Sequence, residues 1–503
     1  MQIDFSNFVD YLWALMPEVV LTAGALALLV YDGFAKHGSR EAESHAVGVG
    51  SLVVIALAVV ANIWLADVTT VGDTGMIAVD GFRILTNFLF LGGAALTILI
   101  SFQYTIREGI TEGEFYALLL FALVGMMLLA NSRDLILIFV SFELMSLAVY
   151  ALVGFKRRDP RSAEAALKYF LLGAFSSAFL VYGMAMLFGS SATTNLALMR
   201  ETLSVAGIGP VGIMGIALLG IGFAFKVSAV PFHVWTPDAY EGAPTPITAF
   251  LAAAIKGAAF AAFIRIFVVA LGDLHVYWEQ FIWWLAALTM IVPNLIALAQ
   301  DNVKRLLAYS SIAHAGYLLV ALISANESGI ASFVFYLWGY IAMIVGAFAI
   351  VLVLAGKDDR RHRISDYAGL GYRHPWAAAI LSLFLLSLAG LPPTAGFVGK
   401  FYILRAAIES GYVNLAVILA ITTVVSYWYY LRVIVAMYMK PEVEPLGQVV
   451  WGRALRAALV ICAIVTLYLG LLPSWPLLKA QQSVQGLTRV AEHSEVTRPL
   501  ANR

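Results

Sequence analysis

The sequence predicts an all-α integral membrane protein of about fourteen transmembrane helices, built as two inverted five-helix repeats that each contain a broken helix. Three observations predict it. Of the 503 residues, 61% are hydrophobic and only 12% are charged, against roughly 25% charged residues in an average soluble domain. Apolar runs of the roughly 20 residues needed to cross a bilayer follow one another with little chain between them. Two of the runs are interrupted by proline beside a lysine, once after Lys226 and once before Lys400. Paired broken helices of this kind mark the working site of repeat-built transporters.

The first span, near 11–31, follows Met-Gln-Ile-Asp, which carries acid where a cleaved signal has a basic region, so the span is expected to be retained. Spans near 46–66 and 84–104 complete an N-terminal three-helix segment, residues 1–114. The first repeat, 115–270, takes the apolar runs near 115–130, 134–155, 166–188, 209–229 and 246–270. Its fourth member is broken, because Lys226 is followed by Pro231, Pro237, Pro244 and Pro246, and proline removes a backbone donor and clashes with the preceding turn. The second repeat, 271–440, takes those near 277–299, 304–324, 330–355, 376–408 and 413–438, broken at Gly390-Leu-Pro-Pro-Thr-Ala-Gly396. A last span near 454–474 and a tail complete 441–503.

The spacing of polar residues supports the repeat. Glu143 precedes Lys226 by 83 residues and His314 precedes Lys400 by 86, with Asp134 and Arg305 each nine residues ahead of the earlier member. Counterparts lie five spans apart, and an odd offset inverts one repeat relative to the other. Lys36 and Arg40, then Lys156, Arg157, Arg158 and Arg161, then Lys304 and Arg305, then Lys357, Arg360, Arg361 and Arg363 occupy alternate loops. That bias puts these loops in the cytoplasm and both termini on the periplasmic-type face.

Four ionisable residues interrupt the apolar runs: Glu143, Lys226, Lys256 and Lys400. At roughly 2.5–3.5 kcal/mol each they cost on the order of 10 kcal/mol unless they meet one another or water, so a proton path is the leading hypothesis. Glu143 lies about two turns into its span, either protonated and hydrogen-bonded or, in the preferred reading, paired with Lys226. Lys226 and Lys400 have snorkelling as their plainer alternative. Lys256 sits among alanines and a glycine that leave room for water, and a buried amine with a shifted pKa can exchange protons where an arginine cannot. Lys168, about one turn into its span with Glu164 at i−4, either snorkels or faces inward. His314 either titrates in the path or is satisfied by Ser310 or Ser311. His233, Asp238 and Glu241 line an entrance or a solvated loop. The run Ser426 to Tyr430 is expected to anchor at the interface or pack helices.

A single cysteine, Cys462, excludes an iron–sulfur cluster held by this chain. The histidines are too scattered for a membrane haem, and neither a P-loop nor a dinucleotide fingerprint is present. The energy for transport would come from a partner or an ion gradient.

The motifs Ser-Phe-Glu143-Leu-Met-Ser-Leu-Ala-Val-Tyr, Phe-Lys226-Val-Ser-Ala-Val-Pro-Phe-His-Val-Trp-Thr-Pro, Leu-Ala-Tyr-Ser-Ser-Ile-Ala-His314-Ala-Gly-Tyr and Gly-Leu-Pro-Pro-Thr-Ala-Gly-Phe-Val-Gly-Lys400-Phe carry a resemblance over nearly the whole chain. The chain resembles the antiporter-like membrane subunits of respiratory complex I, most closely the subunit N family. The resemblance implies a proton-translocating role in NADH:quinone oxidoreductase, with Glu143 and Lys226 as coupling pair, Lys256 as central lysine and Lys400 as terminal residue. It also makes Lys168 and His314 members of the hydrated path. A lysine at 400, where the M type usually has glutamate, and an end at 503 without the long lateral helix of the L type favour N. The resemblance implies no cofactor in this chain, with FMN, iron–sulfur clusters and quinone in partner subunits. Its implied partners are an M-type antiporter-like neighbour, a small K-type subunit, the lateral helix of the L-type subunit and membrane lipid, with no nucleic acid. The implied location is the bacterial cell inner membrane. Two alternatives remain: a D-type subunit of an Mrp-type sodium/proton antiporter, and a structural spacer, which would gain stability by losing its buried charges.

Overall fold

A computed structural model describes residues 8–34, 40–67, 75–441 and 451–496. Lys36, used above for orientation, the first seven residues and the tail beyond 496 lie outside the described residues. The membrane helices in chain order are α1 (Met16–Phe34), α2 (Arg40–Asp67), α3 (Gly81–Glu108), α4 (Glu114–Asn131), α5 (Leu135–Val153) and α6 (Pro160–Ser191). Next come α7 (Pro210–Lys226), α8 (Trp235–Gly242), α9 (Thr245–Ala270), α10 (His275–Leu298), α11 (Val303–Ile323) and α12 (Glu327–Leu354). The last are α13 (Pro375–Ala389), α14 (Ala395–Glu409), α15 (Val413–Met439), α16 (Arg453–Leu471) and the polar α17 (Ser474–Val496).

Twelve helices among the described residues are long and apolar enough to cross a membrane alone. The shorter apolar helices α7 and α13, with α8 and α14 beyond their breaks, stand where the other two expected spans fall. The helix ends follow their sequences. Asp80, Asp134, Asn302 and Asn326 cap α3, α5, α11 and α12 by accepting from backbone N–H groups at 2.9, 2.8, 2.9 and 2.7 Å. Pro160, Pro210 and Pro375 open α6, α7 and α13, where the missing N–H goes unneeded.

Helices α9, α11 and α12 are enclosed almost throughout, whereas α2, α6, α15 and α16 expose residues such as Val60, Phe175, Val424 and Ile464. An apolar outer surface is what a bilayer solvates, so the polar residues of the enclosed helices must find partners inside. The breaks come where proline and glycine end a helix early. α7 ends at Lys226 and Ser228 follows at φ 63°; α13 ends at Gly390, at φ 95°, before Pro392 and Pro393. A side chain is strained at such a φ, which suits glycine. The halves of the second break approach so closely that a Cβ on Gly396 would lie 1.8 Å from the Ser387 carbonyl oxygen. Gly396→Ala should therefore separate α13 from α14 and lower the amount of assembled protein recovered from membranes; a wild-type yield and thermal midpoint would contradict this.

The two faces differ in how they handle charge. On the basic face the Lys304 amine donates to Asp359 at 3.2 Å and to the Ala243 carbonyl at 3.0 Å, while Thr245 donates to Asp359 at 2.7 Å. Burial opposes ionisation of Asp359, but Lys304, His362 and Thr245 outweigh it and hold the carboxyl well below the usual range. On the other face arginines are present but matched. Arg83 meets Glu18 at 2.9 Å, Arg265 meets Asp80 at 2.9 Å and Arg200 meets Asp273 at 2.7 Å.

Candidate functional site

The ionisable residues inside the bundle are linked by hydrogen bonds and by aromatic ring contacts. Glu143 is half-buried on α5 and accepts from Ser177 of α6 at 2.5 Å. Its carboxylate does not pair directly with Lys226, contrary to expectation. The Lys226 amine, 1% exposed, instead donates to Ser146 at 2.6 Å, one turn after Glu143 on α5. Three rings surround it: Phe142 at 4.8 Å, and Tyr150 and Tyr169 at 5.5 Å. These faces are electron-rich and stabilise a cation. Snorkelling is excluded for this lysine, since its side chain is almost wholly enclosed.

Lys256 lies on α9 immediately after a turn of i→i+5 hydrogen bonds over Leu251–Ile255, and such bulges recur at functional sites. Its amine donates to Ser311 of α11 at 2.7 Å and sits 5.5 Å from the Tyr240 ring. Between the two lysines, Trp235 stacks on Tyr169 at 4.3 Å and meets Tyr240 edge-on at 6.4 Å. The Tyr169 and Tyr240 hydroxyls are buried with no hydrogen-bond partner of good geometry. Buried groups of this kind are where water bonds.

Helix α11 carries the contacts onward, because Ser310, His314 and Tyr317 are spaced to share one face. His314 is not satisfied by Ser310 or Ser311, as the sequence suggested. Its Nδ1 is in a short contact with the Tyr336 hydroxyl, and its Nε2 lies 3.3 Å from the Tyr430 hydroxyl, which also bonds Ser310. The His314 and Tyr317 rings are 5.3 Å apart, and Tyr317 in turn lies 4.9 Å from the Lys400 amine. Lys400 donates to the Leu388 and Ala389 carbonyls at 2.9 and 3.0 Å. Those are carbonyls at the end of α13 that the break leaves without helical partners.

The structure thus brings Lys226, Lys256, His314 and Lys400 into one interior, with Glu143 beside its first member. Lys168 lies apart. Its side chain is 45% exposed and pairs with Glu164 at 2.7 Å and Asp238 at 2.8 Å. Arg305 ties Asp238 and Glu241 at 3.0 and 2.7 Å, so these acids belong to an ion network on the basic face. His233 is half-buried in the first break, with its Nδ1 enclosed and lacking a partner of good geometry.

Sequence reasoning missed Ser146, Ser177, Tyr317 and Tyr336, and named Ser311 only as a partner for His314 and Tyr430 only as an anchoring or packing residue. The serines carry a faint signal, since hydroxyls three residues from Glu143 and His314 can shape a polar stripe in an apolar helix. Tyr429 and Tyr430 were expected as anchors or packing residues. Both are buried, and Tyr429 bonds Asn294 at 2.9 Å, while Trp428 of the same run is exposed.

The chain has counterparts among known proteins. The family described as NADH:quinone oxidoreductase/Mrp antiporter, TM, matches residues 132–426, which span both breaks. The NADH-quinone oxidoreductase subunit N of Trichlorobacter lovleyi is 43% identical over 94% of this chain and 96% of its own length. The chain belongs to the subunit N family. Within that family's fold, a chain of the respiratory complex I structure from Thermus thermophilus with bound aureothin superposes at a TM-score of 0.78, with 34% identity over 93% of this chain and all of that one. A chain of the Mrp complex from Dietzia sp. also superposes at 0.78, but at 19% identity over 94% of this chain and 99% of that one it shares the fold alone. The fold therefore does not separate subunit N from the antiporter alternative, whereas the full-length identity does.

Proposed function

We propose that this chain is a proton-translocating membrane subunit of NADH:quinone oxidoreductase. The observation that carries the function is the line of enclosed ionisable residues from Lys226 to Lys400, linked by hydrogen bonds and ring contacts, with Glu143 at its start, inside a chain of the subunit N family. Electron transfer from NADH to quinone in partner subunits perturbs Glu143 and Lys226. A proton then moves by way of Lys256 and His314 toward Lys400 and leaves on the far side. Moving one charge against 100 mV requires about 2.3 kcal/mol, which a redox reaction elsewhere in the assembly can supply.

In this scheme Glu143 and Lys226 act through Ser146 rather than as a direct pair. Ser146 both accepts from Lys226 and donates to the Phe142 carbonyl at 2.5 Å, so its hydroxyl is fixed between α5 and α7. Lys168 acts from outside the line, by setting the charge around Asp238. Residues 115–270 and 271–440 serve as the two repeats. FMN, iron–sulfur clusters and quinone belong to partner subunits. The neighbours are an M-type subunit, a K-type subunit and the lateral helix of an L-type subunit, with lipid in the seams. The basic face lies in the cytoplasm of a bacterial cell and the termini in the periplasm.

Lys226→Ala in an otherwise assembled complex is expected to depress proton pumping driven by NADH oxidation. Inverted vesicles with a pH-sensitive dye report the effect directly. Full pumping together with full NADH:quinone activity would overturn the role given to Lys226.

A further inference from the structure

Helix α3 keeps one stripe away from the core. Ile84, Phe88, Gly92, Leu99 and Ile106 recur on it at helical spacing and are partly or fully exposed, while Phe90, Ile98 and Tyr104 of the same helix are enclosed. A groove follows the stripe. Along the middle of α3 it is a cavity of about 260 Å³ walled by Trp338 of α12 and by Ile461 and Val465 of α16. Toward the basic face it widens to a cavity of about 760 Å³ between Ile106, Val49 of α2 and the first residues of α16. At Gly92 the groove is open, since a Cβ there would meet nothing within 4 Å.

Charge is confined to the wide end. The middle cavity has no charged lining, whereas Arg107 and Arg453 line the wider one, with no carboxylate among the described residues there. Arg107 gives its Nε to Glu108 at 2.9 Å and its Nη1 to the Leu352 carbonyl at 2.7 Å, which leaves Nη2 enclosed and without a protein partner of good geometry. Arg453 is exposed and has no ion-pair partner among the described residues. The groove also has a telling length. From Gly92 to Arg107 the helix rises about 22 Å at roughly 1.5 Å per residue, and one leaflet offers about 15 Å of hydrocarbon beneath a headgroup layer of about 5–7 Å.

We propose that this groove holds one anionic phospholipid of the leaflet on the basic face, with its phosphate at Arg107 and Arg453 and an acyl chain running along α3 to Gly92. The unused Nη2 of Arg107 donates to a phosphate oxygen, a charge-assisted bond that a guanidinium makes well. Arg453 supplies a second positive charge at the mouth. The chain fills the seam between the N-terminal three-helix segment and the last span, α16. This lipid site stands independently of the proton-translocation reading.

The test uses the whole complex in phosphatidylcholine vesicles that carry a trace of phosphatidylglycerol with a photoreactive group midway along one acyl chain. Cross-linked peptides are then identified by mass spectrometry. Peptides of α3 and α16 that wall the groove should be labelled well above the peptide holding Val424, which is exposed on α15, and above their own labelling by a photoreactive phosphatidylcholine. Arg453→Gln should cut labelling by the phosphatidylglycerol probe about five-fold, the contribution of one cation near a membrane surface, and leave the phosphatidylcholine probe unaffected. Gly92→Leu, for which the open space has room, should fill the slot and lower labelling by both probes. Groove labelling no higher than at Val424, or equal for the two headgroups, means ordinary boundary lipid and overturns the proposal. Groove peptides that stay unlabelled mean that a neighbouring subunit occupies the groove, which overturns it as well. If Arg453→Gln fails to assemble, the two headgroups compared on the native complex and the Gly92→Leu result decide.

Discussion

Lys256→Met should stop proton translocation while leaving the complex as stable as the native one, or more so. The two effects have separate physical origins. Lys256 is 3% exposed and its amine donates to Ser311. Methionine has nearly the same length and no charge, and replacing buried ionic groups by apolar ones of similar volume is often neutral or stabilising by about 1–4 kcal/mol. The freed Ser311 hydroxyl can turn to a carbonyl one turn back on its own helix, as Ser324 does to Val320 at 2.9 Å. Proton transfer has no such substitute, because a thioether neither takes up nor releases a proton. Losing a positioned proton carrier should lower the rate about a hundred-fold. Thermal unfolding of the purified complex and dye-monitored pumping would be measured on the same preparation. A destabilised variant that still pumps would reverse both expectations.

Arg83→Met should have the opposite signature, with large destabilisation and no direct effect on the lysine line. Arg83 is fully buried on α3. It donates to both Glu18 oxygens at 2.9 Å, to the Ala14 carbonyl at 2.6 Å and to the Ala78 carbonyl at 3.2 Å, while Asn131 also donates to Glu18 at 2.9 Å. This cluster joins α1, α3 and α4. Removing the arginine leaves a buried carboxylate facing one amide, and breaking a buried pair in this way costs about 3–5 kcal/mol. A lowered melting temperature is the expected outcome, partly restored by adding Glu18→Gln, which removes the stranded charge. If the double variant were no more stable than the single one, the loss would come from packing around the guanidinium.

The number of crossings and both breaks were legible because they depend on local chemistry. Twenty apolar residues suffice for a span, and Pro231 or Pro392 and Pro393 interrupt one whatever surrounds them. The partners of the buried groups depend on which helix faces which, and that is set by packing between distant segments. Tyr336 and Tyr430 reach His314 from α12 and α15, and nothing in the neighbourhood of residue 314 points to them. Glu143 and Lys226 matched as opposite charges, yet each meets a different serine, Ser177 for the carboxylate and Ser146 for the amine. Arg83 and Arg265 stand near helix ends, where a long side chain ordinarily reaches water, so their burial had no signature. Lys168 was the reverse case: its i−4 neighbour Glu164 foretold the ion pair that holds it at the surface.

The second break also fixes the sign of the group that can sit inside it. Lys400 offers N–H donors to two carbonyl oxygens at the negative end of α13. A carboxylate in the same place would meet those oxygens with repulsion unless it carried a proton and turned donor itself. The interrupted backbone is therefore a polarity filter: its two carbonyl oxygens favour a cation or a neutral donor at position 400 over an anion.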